Sequence, residues 1–229
     1  MNSIARLAGS GSRYWAGHDF GLQLISKMNR TNNLTASDFA TWVFEQTVGA
    51  RNYSRGLMNQ HKSDRLRLGT ASHSDIDLFF QMKWTHEKLE GRPRSEWEVL
   101  FTDGDAATGE VFTASNLRRE DQKMRCVPDV VLRSKKDGMI AIIERKTTNQ
   151  QGAQIPPDGW PNLRAQLWCY GWIDEWFESN DVLLVGQIWS HYAGGLNLNT
   201  AHLLWKRSDP QFHDNCLQWF ERYGGTFIK

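Results

Sequence analysis

The sequence predicts a mixed α/β domain in which a mixed central sheet is flanked by helices. Three observations carry this. Two β-branched runs lie on either side of Ser134–Gly138, a segment that ends in Asp-Gly, the strongest short-range signal for a hairpin. Amphipathic stretches precede and follow that pair. Two more apolar runs then lead into a last helical stretch opened by Asp209–Pro210. This order describes neither a barrel nor a bundle.

Along the chain, Thr35 to Val48 reads as a helix. Thr35 or Ser37 can cap it, and Phe39, Trp42, Val43 and Gln46 follow at helical spacing. Leu66 to Lys88 carries a second helical pattern through Leu68, Ala71, Asp75, Leu78, Phe79 and Met82. Glu96 to Thr102 and Glu110 to Ser115 read as strands joined through Asp103–Gly104 and Thr108–Gly109. Val127 to Arg133 and Met139 to Lys146 form the hairpin. Pro161 suits a helix start, and that helical pattern continues to about Phe177. Val182 to Ser190 and His202 to Lys206 read as strands, and the last helix ends near Gly224–Gly225.

The 229 residues suffice for one domain with a sizeable core, placed at residues 34–229 after a loosely attached N-terminal extension of residues 1–33. No apolar run approaches the roughly eighteen residues of a membrane span. Cys126, Cys169 and Cys216 are far apart and form no CxxC pair, which argues against a disulfide framework, a zinc ribbon or an iron–sulfur cluster. A reducing, cytoplasmic setting follows, or its equivalent inside a host cell.

The net charge of +1 hides an uneven distribution. Arg51, Arg55, Lys62, Arg65 and Arg67 make one basic stretch; Arg118, Arg119, Lys123 and Arg125 make another. Such runs suit a phosphate backbone, although most charge runs are solvated faces.

The chemistry centres on the hairpin. Asp129 lies on its first strand and Glu144 near the end of its second, so the two carboxylates can converge. Close carboxylates raise one another's pKa unless a cation lies between them. A hard divalent cation, Mg²⁺ or Mn²⁺, suits such an oxygen-rich site. Lys146, two residues after Glu144, points to the same side of the strand. There it can stabilise charge developing on a phosphate or help orient an attacking water.

An isolated ExK is common, so order and spacing matter. Pro128–Asp129, followed after a hairpin-sized gap by Glu144–Arg145–Lys146 in the apolar run Ile140–Ala141–Ile142–Ile143, resembles the PD-(D/E)XK nuclease superfamily. Gln166 and Tyr170 match a QxxxY element, and their i,i+4 spacing puts them on one helical face. Gly69–Thr70–Ala71–Ser72–His73 matches a GxxxH element. Together these resemble the RecB-like exonuclease branch, which includes the Cas-four-type exonucleases, and the likeness runs from about residue 34 to 175.

The resemblance implies a restriction-endonuclease-like core with His73, Asp129, Glu144 and the Arg145 carbonyl as metal ligands. Lys146 would stand beside the attacked phosphate, with Gln166 and Tyr170 positioning it and the strand. It further implies a metal-dependent deoxyribonuclease acting on single-stranded DNA or DNA ends, with Arg51, Arg55, Lys62, Arg65 and Arg67 holding the backbone. A structure-specific endonuclease and a silent DNA-binding or scaffolding protein are the rival readings, and RNA stays open as a substrate. The cluster-holding cysteines of many relatives are absent. So is a P-loop, which leaves a stand-alone enzyme, a homo-oligomer, or one working with a separate helicase or repair partner. Glu96 or Glu98 is a candidate for the acid that often precedes the PD strand in the family, with a solvent-facing strand carboxylate as the plain alternative.

Eleven tryptophans are unusual for this length. Trp168, Trp172 and Trp176 recur at i,i+4, and core burial is the expected use, with base stacking or a subunit contact as the others. Tyr170 lies roughly 200° around the helix from Trp168, leaving one face to pack and another to serve the site.

Overall fold

The sequence signals for helix ends and turns place most elements. The computed structural model describes residues 34–49, 88–102, 111–148, 156–192, 195–198 and 203–229. The expected Leu66–Lys88 helix, the Gly69–His73 element and the basic stretch from Arg51 to Arg67 lie outside the described residues, Lys88 apart.

Helix α1 spans Ala36–Phe44, and its cap is Thr35 rather than Ser37. The Thr35 side chain accepts from the Asp38 N–H at 3.0 Å and donates to the Asp38 carboxylate at 2.8 Å, an arrangement worth about 1 kcal/mol. Ala36, Phe39, Ala40 and Val43 are buried at i, i+3, i+4 and i+7, a one-sided apolar stripe. The helix then loosens into a π turn at Glu45–Gly49.

The central sheet holds six strands: β1 (Trp97–Thr102), β4 (Val130–Ser134), β5 (Ile140–Thr148), β6 (Val182–Tyr192), β7 (Gly195–Leu198) and β8 (Leu203–Lys206). Strand β4 pairs antiparallel with β1 and β5, and β5 pairs parallel with β6 from Ile140↔Val182 to Thr148↔Ser190. The first half of β6 pairs with β8 and the second with β7, both antiparallel. A parallel pair needs a crossover, and helix α2 (Pro161–Tyr170) supplies it between β5 and β6. The fold is therefore mixed α/β with a mixed central sheet flanked by helices.

The hairpin β4–β5 has the expected turn. The Gly138 N–H bonds the Ser134 carbonyl at 2.9 Å, and Gly138 takes φ +74°, a conformation that favours glycine.

A second sheet, in the order β3–β2–β9, is formed by β2 (Phe112–Arg119), β3 (Gln122–Cys126) and the short β9 (Thr226–Phe227). Consecutive strands β1 and β2 thus belong to different sheets. The residues read only as a basic run prove to be a hairpin turning at Glu120–Asp121, with Glu120 at φ +56°.

Helix α2 is shorter than its periodicity suggests. Leu163 and every residue from Ala165 to Tyr170 are buried, as expected for a helix enclosed on all sides. It stops at Gly171, and a 3₁₀ turn at Asp174–Trp176 follows. Asp174 accepts from the Ser115 N–H at 2.8 Å and its hydroxyl at 2.7 Å, which draws this segment away from the helix axis toward β2. The three tryptophans consequently share no helical stripe. Trp168 is core against Phe39 and Phe220, Trp172 meets Phe227, and Trp176 meets Phe112.

Helix α3 (Pro210–Arg222) begins with Asp209 accepting from the Gln211 and Phe212 amides. At its other end, a Cβ on Gly225 would stand 2.4 Å from the Phe220 ring, so only glycine fits there. The three cysteines are buried and free. No helix among the described residues is long and apolar enough to cross a membrane.

One core contact titrates. His213 on α3 lies against Trp168, Trp172 and Phe227, and its Nδ1 accepts from the Trp168 indole N–H at 3.1 Å. Burial lowers its pKa, because the imidazolium would lose both hydration and that bond. A depressed folded pKa means that this stabilisation is present above the ordinary histidine value, near pH 6.5, and fades as pH falls through the folded value. Denaturant melts between pH 7 and pH 5 should therefore show less acid sensitivity in His213→Asn, whose amide oxygen keeps an acceptor near Nδ1. Equal sensitivity in both proteins would count against the assignment.

Candidate active site

Strand alternation sets the site. Ile140, Ile142, Glu144 and Lys146 share one side of β5, the side on which Ile140 and Ile142 join the core with α1 and α2. Ala141 and Ile143 point the other way into a second cluster with Trp97, Val130, Leu132 and Val185. The sheet is thus buried on both sides, while the polar end of β5 faces α2.

Asp129, Glu144, Lys146, Gln166 and Tyr170 come together there. Asp129 stands in the loop just before β4 rather than on the strand as expected, because pairing with β5 begins only at Val130↔Ile143, and its Oδ2 accepts from the Arg145 backbone N–H at 2.6 Å. Lys146 Nζ donates to Glu144 Oε1 at 2.6 Å and to Gln166 Oε1 at 2.7 Å. Gln166 Nε2 donates to the Tyr170 hydroxyl at 2.6 Å, and that hydroxyl donates to the Val127 carbonyl at 2.8 Å. An unbroken chain of hydrogen bonds therefore joins β5, α2 and the turn before Asp129. Asp129, Glu144, Arg145 and Gln166 are buried, whereas the Lys146 side chain keeps 27% of its surface and can meet a ligand.

Burial first, and then the neighbouring Asp129, push the Glu144 carboxyl well above the usual carboxylate range; Lys146, and after it the Tyr170 hydroxyl, pull the other way. Burial and the same two carboxylates raise Tyr170, so its hydroxyl keeps the proton it donates. Glu144 Oε2 is buried and makes no well-formed hydrogen bond among the described residues: the Tyr170 hydroxyl lies close enough to favour its charge, but the hydroxyl proton points to the Val127 carbonyl. A buried oxygen of this kind, beside a second carboxylate, is the donor arrangement that a hard cation relieves. The described residues contribute no third histidine, cysteine or carboxylate to it. His73, Arg51, Arg55, Lys62, Arg65 and Arg67 lie outside the described residues.

Two partners were not legible. Ser37, read only as a possible cap, places its Oγ 3.5 Å from Gln166 Nε2. The Val127 carbonyl is a backbone acceptor, for which sequence carries no signal. Glu98 takes the plain alternative: it is exposed on β1, 3.9 Å from the Arg133 guanidinium across the strand pair.

Tyr170→Phe should expose the importance of this chain. It leaves the Val127 carbonyl and the Gln166 amide each short of a partner in a buried place. An expected loss of about 1–3 kcal/mol follows, read as a lower urea midpoint with an unchanged slope. A midpoint equal to the parent's would mean the hydroxyl is structurally idle.

No family model and no curated protein matches the chain. Among solved structures, one described as the crystal structure of SSO0001 aligns over 90% of this chain and 84% of that one. Its TM-score is 0.40 at 14% identity, too slight a likeness to support an argument.

Proposed function

We propose that this chain is a metal-dependent deoxyribonuclease built on a restriction-endonuclease-like core and acting on single-stranded DNA or DNA ends. The observation that carries the reading is Lys146, whose ammonium is fixed between Glu144 and Gln166 beside the buried Asp129–Glu144 pair. A buried acid pair is costly to a fold unless the pair has work to do.

Asp129 and Glu144 would hold Mg²⁺ or Mn²⁺, with the Arg145 carbonyl and His73 as further ligands. When bound, the ion would supply an activated water and a counter-charge for the phosphate. Lys146 would hold negative charge developing on the attacked phosphate. Gln166 keeps that ammonium aimed, and Tyr170 anchors the turn that delivers Asp129. The basic residues Arg51, Arg55, Lys62, Arg65 and Arg67 are assigned to the backbone.

The test is degradation of end-labelled linear single-stranded DNA with Mn²⁺, Mg²⁺ or EDTA, beside a closed circle of the same sequence. Metal-dependent loss of the linear strand with an intact circle supports an exonuclease. Cut circles would replace that with an endonuclease, and no cleavage of any nucleic acid would remove the enzyme reading.

A further inference from the structure

The β2–β3 hairpin carries a second cluster of cations, and its register sorts them by side. Met124 and Cys126 point into the core, so Lys123 and Arg125 point outward, and both are exposed. Arg118 is the cross-strand partner of Lys123 and therefore stands on the same side. Arg119 belongs to the opposite side, with its guanidinium over the Tyr223 ring at 4.6 Å. The outward side thus carries three cations, Lys123 and Arg125 exposed and Arg118 half-buried with its Nε donating to the Ser115 carbonyl at 2.9 Å, and the hairpin's own carboxylates, Glu120 and Asp121, sit in the turn at the far end from Asp129.

This face is tied to the candidate active site twice. Along the chain, Arg125 precedes Asp129 by four residues, a span of at most about 14 Å. Across the fold, the Arg125 N–H bonds the Leu34 carbonyl at 2.9 Å, at the entry to α1. Ser37 in the first turn of that helix then approaches Gln166. Lys123 and Arg125 are separated by two strand residues, about 6.7 Å, a stride that suits successive phosphates on an extended strand.

We propose that the outward side of this hairpin, carrying Arg118, Lys123 and Arg125, binds the phosphodiester backbone of a single nucleic-acid strand and leads it to the carboxylate–lysine site. The assignment rests on the nuclease reading for its direction, but binding can be measured without cleavage. The antiparallel pairing, interrupted only between Ala114 and Arg118, holds these charges on one side before a strand arrives, which lowers the ordering cost in the protein. Each phosphate neutralised releases counterions, giving the contact a salt signature.

The experiment is fluorescence anisotropy of a labelled oligothymidylate, titrated in EDTA over a salt series. It compares the full chain with Lys123→Glu/Arg125→Glu. A matched reversal, Lys135→Glu/Lys136→Glu, lies in the β4–β5 turn at the other end of that hairpin from Asp129. Loss of two phosphate contacts should flatten the log K against log salt slope by about 1.4 and weaken binding at least tenfold, with the matched reversal unchanged. Lys123→Ala/Arg125→Ala, which introduces no repulsion, should flatten the slope equally with a smaller loss of affinity.

Parental affinity and slope in both hairpin variants overturn the proposal, whether or not the protein cleaves. Equal weakening by the matched reversal overturns it too, since only overall charge would then matter. A parent that binds through the hairpin yet cleaves nothing supports the surface and removes the nuclease reading. A parent that binds no strand overturns the surface, while the nuclease reading stands or falls on the cleavage of the linear strand with metal.

Discussion

Lys146→Ala should reduce metal-dependent cleavage of single-stranded DNA by about 10²–10³-fold, the usual cost of removing one preorganised group that meets charge in the transition state. The expectation rests on geometry. The Lys146 ammonium has two fixed acceptors, Glu144 Oε1 and Gln166 Oε1, and its stem is packed at the polar end of β5. Two of its protons are thus engaged while the third remains for a phosphate oxygen. Because this aim exists before any ligand arrives, its loss should fall on the single-turnover rate more than on strand affinity. Lys146→Arg should recover little, since a planar guanidinium cannot occupy the place of a compact ammonium between those two acceptors. Gln166→Ala should show a smaller defect in the same parameter, because Glu144 still holds the lysine. Rapid-quench rates for the three proteins are the measurement. Cleavage by Lys146→Ala at the parental rate would move the chemistry elsewhere.

Much of this arrangement is legible in the sequence, for physical reasons that differ by residue. The hairpin is visible, read as Val127 to Arg133 and Met139 to Lys146 and found as Val130–Ser134 and Ile140–Thr148, because β-branched runs flank a turn whose Gly138 must take positive φ. The convergence of Asp129 and Glu144 follows from that hairpin, and the shared side of Glu144 and Lys146 from strand alternation. Gln166 and Tyr170 fall together because one helical turn separates them. What escapes depends on long-range pairing. Arg118 to Arg125 look like a solvated charge run because only the cross-strand register reveals buried Leu117, Met124 and Cys126 alternating with the cations. The end of α2 at Tyr170 escapes because the i,i+4 tryptophans continue past it, and the bond from Ser115 to Asp174 overrides that local pattern. The Val127 carbonyl carries no side-chain signature at all.

The acid pair should also respond to metal without any substrate. In the metal-free protein Glu144 and Asp129 lie close in a buried place, and Glu144 Oε2 makes no well-formed hydrogen bond among the described residues. A divalent cation that binds the folded chain alone stabilises it by mass action, about 2.7 kcal/mol at a free concentration one hundred times Kd. For a domain of this length that corresponds to a rise in Tm of roughly 5–10 °C. Glu144→Gln removes a charge that burial and Asp129 both disfavour, and its amide oxygen can still accept from Lys146. The metal-free variant should therefore melt no lower than the metal-free parent, while its response to Mg²⁺ or Mn²⁺ largely disappears. Asp129→Asn keeps an acceptor for the Arg145 N–H and should lose the response in the same way. The two changes together separate metal binding from folding: a destabilised site would lower the melting temperature in EDTA, whereas a lost ligand lowers only the increment that metal adds. An increment equal to the parent's in both variants would place the cation away from these carboxylates, and with it the chemistry assigned to them.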